Sequence, residues 1–143
     1  MKTKLIEYFN TDKEFQKCAK EWQHKLFLDD WFIKFELVEQ ELYLDEKKEL
    51  SVFGYCDKNW ENHEAVIRIS HLKDTKGIVT KSIEELTLIH ELLHCKLFPL
   101  ESDTEKSSYE AVHLDLQNHV HIEQLAKSLL MTKYNLDYDY FMS

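Results

Sequence analysis

The stretch Leu86 to Phe98, Leu-Thr-Leu-Ile-His-Glu-Leu-Leu-His-Cys-Lys-Leu-Phe, limits what this chain can fold into more than any other. On a helical wheel Leu86, Leu93 and Leu97 flank one side, and Leu88, Leu92 and Cys95 fall on the opposite face. A helix that is apolar on nearly all sides must be buried against other elements. Yet this one carries His90, Glu91 and His94. Burying polar groups without partners costs on the order of 2 kcal/mol or more each, so the three need partners. Helical residues four apart stand one above the other. The spacing therefore lets His90 and His94 present two imidazoles to one metal ion, with Glu91 about a quarter turn away at the rim. Metal-assisted hydrolysis needs that set: two fixed nitrogen ligands and a carboxylate beside an activated water. Ser82 and Glu85 have the spacing of a capping box at the start of this helix. Pro99 marks its end, because the residue before proline is pushed out of the helical region.

A catalytic zinc takes three protein ligands and keeps one position open. The last predicted helix, about 107 to 132 with Ser107 and Glu110 as its cap, offers His113, His119, His121 and Glu123. Its expected core stripe is Asn118, Ile122, Leu125, Ala126 and Leu129. His119 sits at the edge of that stripe, between Asp115 and Ile122, and Glu123 lies one turn further on. His121 points to the other side. Geometry thus makes His119 the expected third ligand and Glu123 the alternative. With His119 on the metal, Glu123 or Asp115 is placed to steady an imidazole ring. Tyr109, His113, His71 and the C-terminal tyrosines are the candidates for stabilising an oxyanion.

Upstream, Thr11 and Glu14 form another capping pattern, and Phe15, Cys18, Ala19, Trp22 and Leu26 follow helical spacing over about 12 to 27. Trp31, Ile33, Phe35 and Leu37 alternate with Phe32, Lys34, Glu36 and Val38, the period of a strand. The acidic run Glu39 to Glu49 reads as a solvated strand end or hairpin connection. Ser51 to Cys56 is a second strand with Gly54 at a bulge, Asp57 to His63 a turn, and Glu64 to Ser70 a third strand paired with the second as a hairpin. His63 and His71 read as loop residues, and His24 as solvent-facing. Lys73 to Lys81, with Gly77, and Leu100 to Lys106 read as loops. The tyrosine-rich tail from Tyr134 either packs on the body or acts as a flap.

The 143 residues suffice for a single domain over 1–143 with one core. With 43% hydrophobic and 31% charged residues the chain should fold as a soluble globule. A formal net charge of -9 argues against non-specific nucleic-acid binding. No apolar run reaches the roughly 20 residues of a membrane span, and Met1 to Glu7 lack the apolar core of a signal peptide, so no membrane partner and a cytoplasmic location are expected. Cys18, Cys56 and Cys95 are odd in number and contain no Cys-x-x-Cys. They read as small buried apolar residues, not as a disulfide framework or ligands.

His-Glu-Leu-Leu-His at 90 to 94, the helix ending Ile122-Glu123-Gln124-Leu125-Ala126-Lys127-Ser128-Leu129-Leu130, and the strands Asp30 to Phe35 and Ala65 to Ile69 resemble the short His-Glu-x-x-His zincins of bacterial and prophage genomes. In size and layout the chain is similar to SprT-like and ImmA/IrrE-like metallopeptidases. The resemblance implies a Zn2+ cofactor on His90 and His94, a water activated by Glu91, and a Glu or His on the next helix as third ligand. It implies a metallopeptidase acting on a protein or peptide substrate. The alternative is a non-catalytic metal-binding interaction module, or a regulator of phage or prophage origin, on the same scaffold. The expected fold is α+β and zincin-like. An N-terminal helix, the motif helix and a long C-terminal helix pack on an antiparallel sheet of about three strands, whose edge offers an extended peptide a place to add.

Overall fold

The computed structural model describes residues 8–40, 42–43, 51–71, 83–97 and 109–141, without the side chains of 43, 51, 52 and 109–118. Ser82, Gly77, Pro99 and Ser107, on which caps, loops and breaks were expected, lie outside the described residues. Among the described residues the fold is α+β, with three α-helices, a small three-stranded sheet and a separate two-stranded one.

The first helix, α1 (Asp12–Lys25), starts as its sequence dictates: the Thr11 side chain accepts the Glu14 N–H at 3.1 Å. Its apolar stripe, Phe15, Cys18, Ala19 and Trp22, is buried. The chain reverses through Phe27 (φ 59°) into β1 (Phe32–Val38). Two short strands, β2 (Leu42–Tyr43) and β3 (Ser51–Val52), pair antiparallel; most of the acidic run, read as a strand end or hairpin connection, lies outside the described residues. β4 (Gly54–Asn59) and β5 (Glu64–Ser70) follow.

Two strand expectations are corrected. The single strand over Ser51 to Cys56 is broken at Phe53 into β3 and β4, and β4 continues to Asn59, so the turn is confined to 60–63. His63 closes that turn in the left-handed region (φ 53°); its ring stacks on Trp31 at 5.0 Å, and its Nδ1 lies 2.9 Å from Asp30 Oδ2. The sheet is mixed and not antiparallel: its order is β1-β5-β4, with β4 antiparallel to β5 but β1 parallel to it. Side-chain alternation is the same in either direction. Only the short β4–β5 connection fixes a direction.

One face of the sheet is apolar. Ile33, Phe35 and Leu37 stand opposite Ala65, Ile67 and Ile69 in register, and Phe35, Ala65, Ile67 and Ile69 are buried. The other face is polar: Glu36 takes Arg68 at 3.0 Å, and the Arg68 guanidinium sits over the Tyr55 ring. The motif helix, α2 (Glu84–Lys96), packs on β4 and β5, and among the described residues α3 (Tyr109–Tyr134) packs chiefly on α2. A Cβ on Gly54 would stand 2.7 Å from Thr87 Cγ2 and 3.0 Å from the Arg68 carbonyl. Gly54, expected at a bulge, opens β4 and lets α2 approach that strand closely.

Leu88, Ile89, Leu92 and Leu93 of α2 are buried with Ile122, Ala126 and Leu130 of α3, each large side chain contributing about 1.5–3 kcal/mol of transfer free energy. The α3 stripe is rotated from its expected phase: Leu125 is 41% exposed, and the buried line runs Ile122, Ala126, Leu130, Tyr134. The tail packs on the body through Leu136 and Phe141, while Tyr138 and Tyr140 of a 3-10 turn (Tyr138–Phe141) are exposed. Among the described residues no helix is long and apolar enough to cross a membrane.

Candidate metal centre

His90 and His94 stand on one face of α2, their ring centroids 5.1 Å apart. α3 brings His119 over them, 5.8 Å from His90 and 4.8 Å from His94. The ligand atoms of the three imidazoles all lie within 4.8 Å of one another. Three nitrogens held about 2.1 Å from one tetrahedral zinc are about 3.4 Å apart, so small rotamer changes close the set. His90 and His94 are half-buried and His119 is exposed. The group could therefore hold a metal ion at the seam between α2 and α3. His119, the expected third ligand, is thus grouped with the two motif histidines.

Glu123, the alternative ligand, takes a different part. Its Oε2 lies 2.6 Å from His90 Nδ1, the position of a carboxylate that orients a metal-binding ring. Such a contact favours the tautomer with its lone pair on Nε2. The His90 contact holds the Glu123 carboxyl below its ordinary range, against the opposing effect of burial. His121 is exposed, as expected, while the side chains of Tyr109, His113 and Asp115 are outside the described set.

Glu91 is 6% exposed. Cys95, one turn later on the same face, has its Sγ 3.6 Å from that of Cys56 in β4. The Cys56 thiol is pushed up chiefly by Cys95 and by burial, and the nearby Glu91 carboxylate adds to the effect. Glu91 thus stands on the flank of α2 turned toward β4, between the imidazoles and the strand. Lys58 of β4 donates to the His94 carbonyl at 3.2 Å, tying that strand to the last turn of the motif helix. All three cysteines are free; Cys56 is half-buried rather than fully so.

The first turn of α2 departs from expectation. Ile83, not Ser82, is the N-cap, and no side chain caps it. Glu85 is fully buried and accepts from Trp22 Nε1 at 3.1 Å, Lys133 Nζ at 2.8 Å and the Tyr134 hydroxyl. Glu84 is also buried, accepting the Phe9 N–H at 2.8 Å and lying 2.7 Å from His71 Nδ1. Burial raises the Glu84 carboxyl despite those contacts. His71 follows β5 in irregular structure, as expected, but it is buried, and both it and Tyr134 are engaged by carboxylates. The available signal was two acids side by side at the head of an apolar helix; their partners are too distant in sequence for local patterns to show.

No protein-family model, curated protein or solved structure matches the chain.

Proposed function

We propose that the protein is a zinc-dependent peptidase of zincin type. The observation that carries this reading is the convergence of His90, His94 and His119 from two helices, their ligand atoms within 4.8 Å, with Glu91 beside them. A bound zinc supplies a Lewis acid that lowers the pKa of water toward 7 and polarises a carbonyl. The chain's own residues do the rest. His90, His94 and His119 would hold the ion, and three protein ligands would leave room on it for reactants. Glu123 fixes the His90 ring. Glu91 accepts a proton from the attacking water and returns it to the leaving amine, so the peptide C–N bond breaks and water's hydrogen and hydroxyl are shared between the two products.

β4 is an edge of the three-stranded sheet. An extended peptide laid along it passes the flank that bears Glu91, in the manner of strand addition. A non-catalytic metal module would have no use for a carboxylate at that place. A structural zinc would also recruit a fourth protein ligand, and Glu123 is spent on His90 instead.

The test is to load the purified protein with zinc and incubate it with a complex peptide mixture. Mass spectrometry should find new peptide termini with wild type and none with Glu91→Gln, while both proteins hold about one zinc. Equal cleavage by the two proteins, or none by either, refutes the peptidase reading.

A further inference from the structure

The buried Glu85 plays no part in the chemistry above, yet three helices meet on it. Its side chain is 0% exposed. Trp22 reaches it from α1, and Lys133 and Tyr134 reach it from the end of α3. Lys133 also lies over the Trp22 and Tyr134 rings. Burial and the Glu85 charge push the neighbouring Cys18 thiol up to about 12, so this cluster holds no reactive nucleophile.

A buried, paired carboxylate is weak evidence for stability, since apolar groups of similar volume often serve as well. Its best-attested use is to fix register, and the register here is visible. α2 and α3 run antiparallel. Glu85 meets Lys133 and Tyr134, His90 meets Glu123, and His94 meets His119. Between these points Ile89, Leu92 and Leu93 on α2, and Ile122, Ala126 and Leu130 on α3, are buried and apolar, while the buried Glu91 lies on the flank of α2 turned toward β4. Apolar burial is non-directional and tolerates a slide by one turn, about 5.4 Å. That slide would carry His119 out of reach of a cation held by His90 and His94.

We propose that Glu85, with Lys133 and Tyr134, is a register bolt that sets α3 along α2 and so places His119 and Glu123 opposite the motif histidines. These are positioning residues acting through the length of α3, and the inference rests on the metal reading. The test uses the full chain with Lys133→Met and Tyr134→Phe combined, read by zinc competition and by the visible spectrum of the Co2+ form. The double variant keeps its helical circular dichroism, but zinc affinity falls about tenfold, as for loss of a ligand-orienting contact, and the intense four-coordinate Co2+ bands weaken. A purely structural role lowers the melting temperature and leaves both readings unchanged; that result overturns the proposal. Tyr134→Phe alone deletes one hydroxyl. Should the double variant not fold, the same two readings on this variant decide: lowered affinity and weaker bands support the bolt, and wild-type values overturn it. His119→Ala, measured alongside, separates the premises: if it too changes neither reading, the three-histidine site itself is wrong.

Discussion

The two ends of α2 carry polar groups of the same helix in opposite circumstances. In its first turn Glu84 and Glu85 are sealed from solvent, and each accepts hydrogen bonds from distant parts of the chain. Two turns on, His90 and His94 stand half-buried beside an exposed His119. The difference separates architecture from chemistry. A buried acid whose acceptor sites are answered by Trp, Lys and Tyr donors has its task completed by folding. Imidazoles gathered at the surface, with a carboxylate behind one of them, are, on the proposed reading, ligands for an ion taken up after folding.

The sharpest way to break this contrast is His94→Ala. The zinc content by elemental analysis should fall from about one equivalent to near none, with the helical spectrum of the metal-free protein unchanged. A collapse of the fold instead would place His94 with the buried acids. Glu123→Gln should act less strongly, weakening zinc about 10- to 100-fold in a competition titration. It keeps the side-chain shape and removes the charge that favours the ligand tautomer of His90. The smallest effect is expected from Glu36→Gln on the open face of the sheet, a charge pair belonging to neither end. Arg68 holds the Glu36 carboxyl below the usual range. A depressed carboxylate stabilises above its unfolded value near 4.5, and that contribution is lost as pH falls through the folded value. The variant should therefore be weaker by about 0.5 kcal/mol at pH 7, a typical value for surface pairs, and the gap should narrow as the pH is lowered progressively below 4.5. Denaturant titrations across that range check this.

The contrast also explains what could be read in advance. His90, Glu91 and His94 sit within one turn and a third, so helical geometry alone brings them together, and His119 was reachable from the wheel of the last helix. The same wheel misplaced Leu125, because a stripe of mixed apolar residues fixes the phase of a helix only loosely. Glu85 was read as a capping residue because Ser-x-x-Glu is a local pattern. Its real partners Trp22 and Lys133 lie 63 and 48 residues away, and nothing short-range reveals them. The parallel pairing of β1 with β5 was hidden for a related reason: alternation records which side faces the core, not which way the neighbour runs.

The contact at Gly54 has a mechanical consequence. With no room for even a methyl group between β4 and Thr87, the edge strand and the motif helix are in direct contact. A residue larger than glycine at position 54 would have to push the two apart.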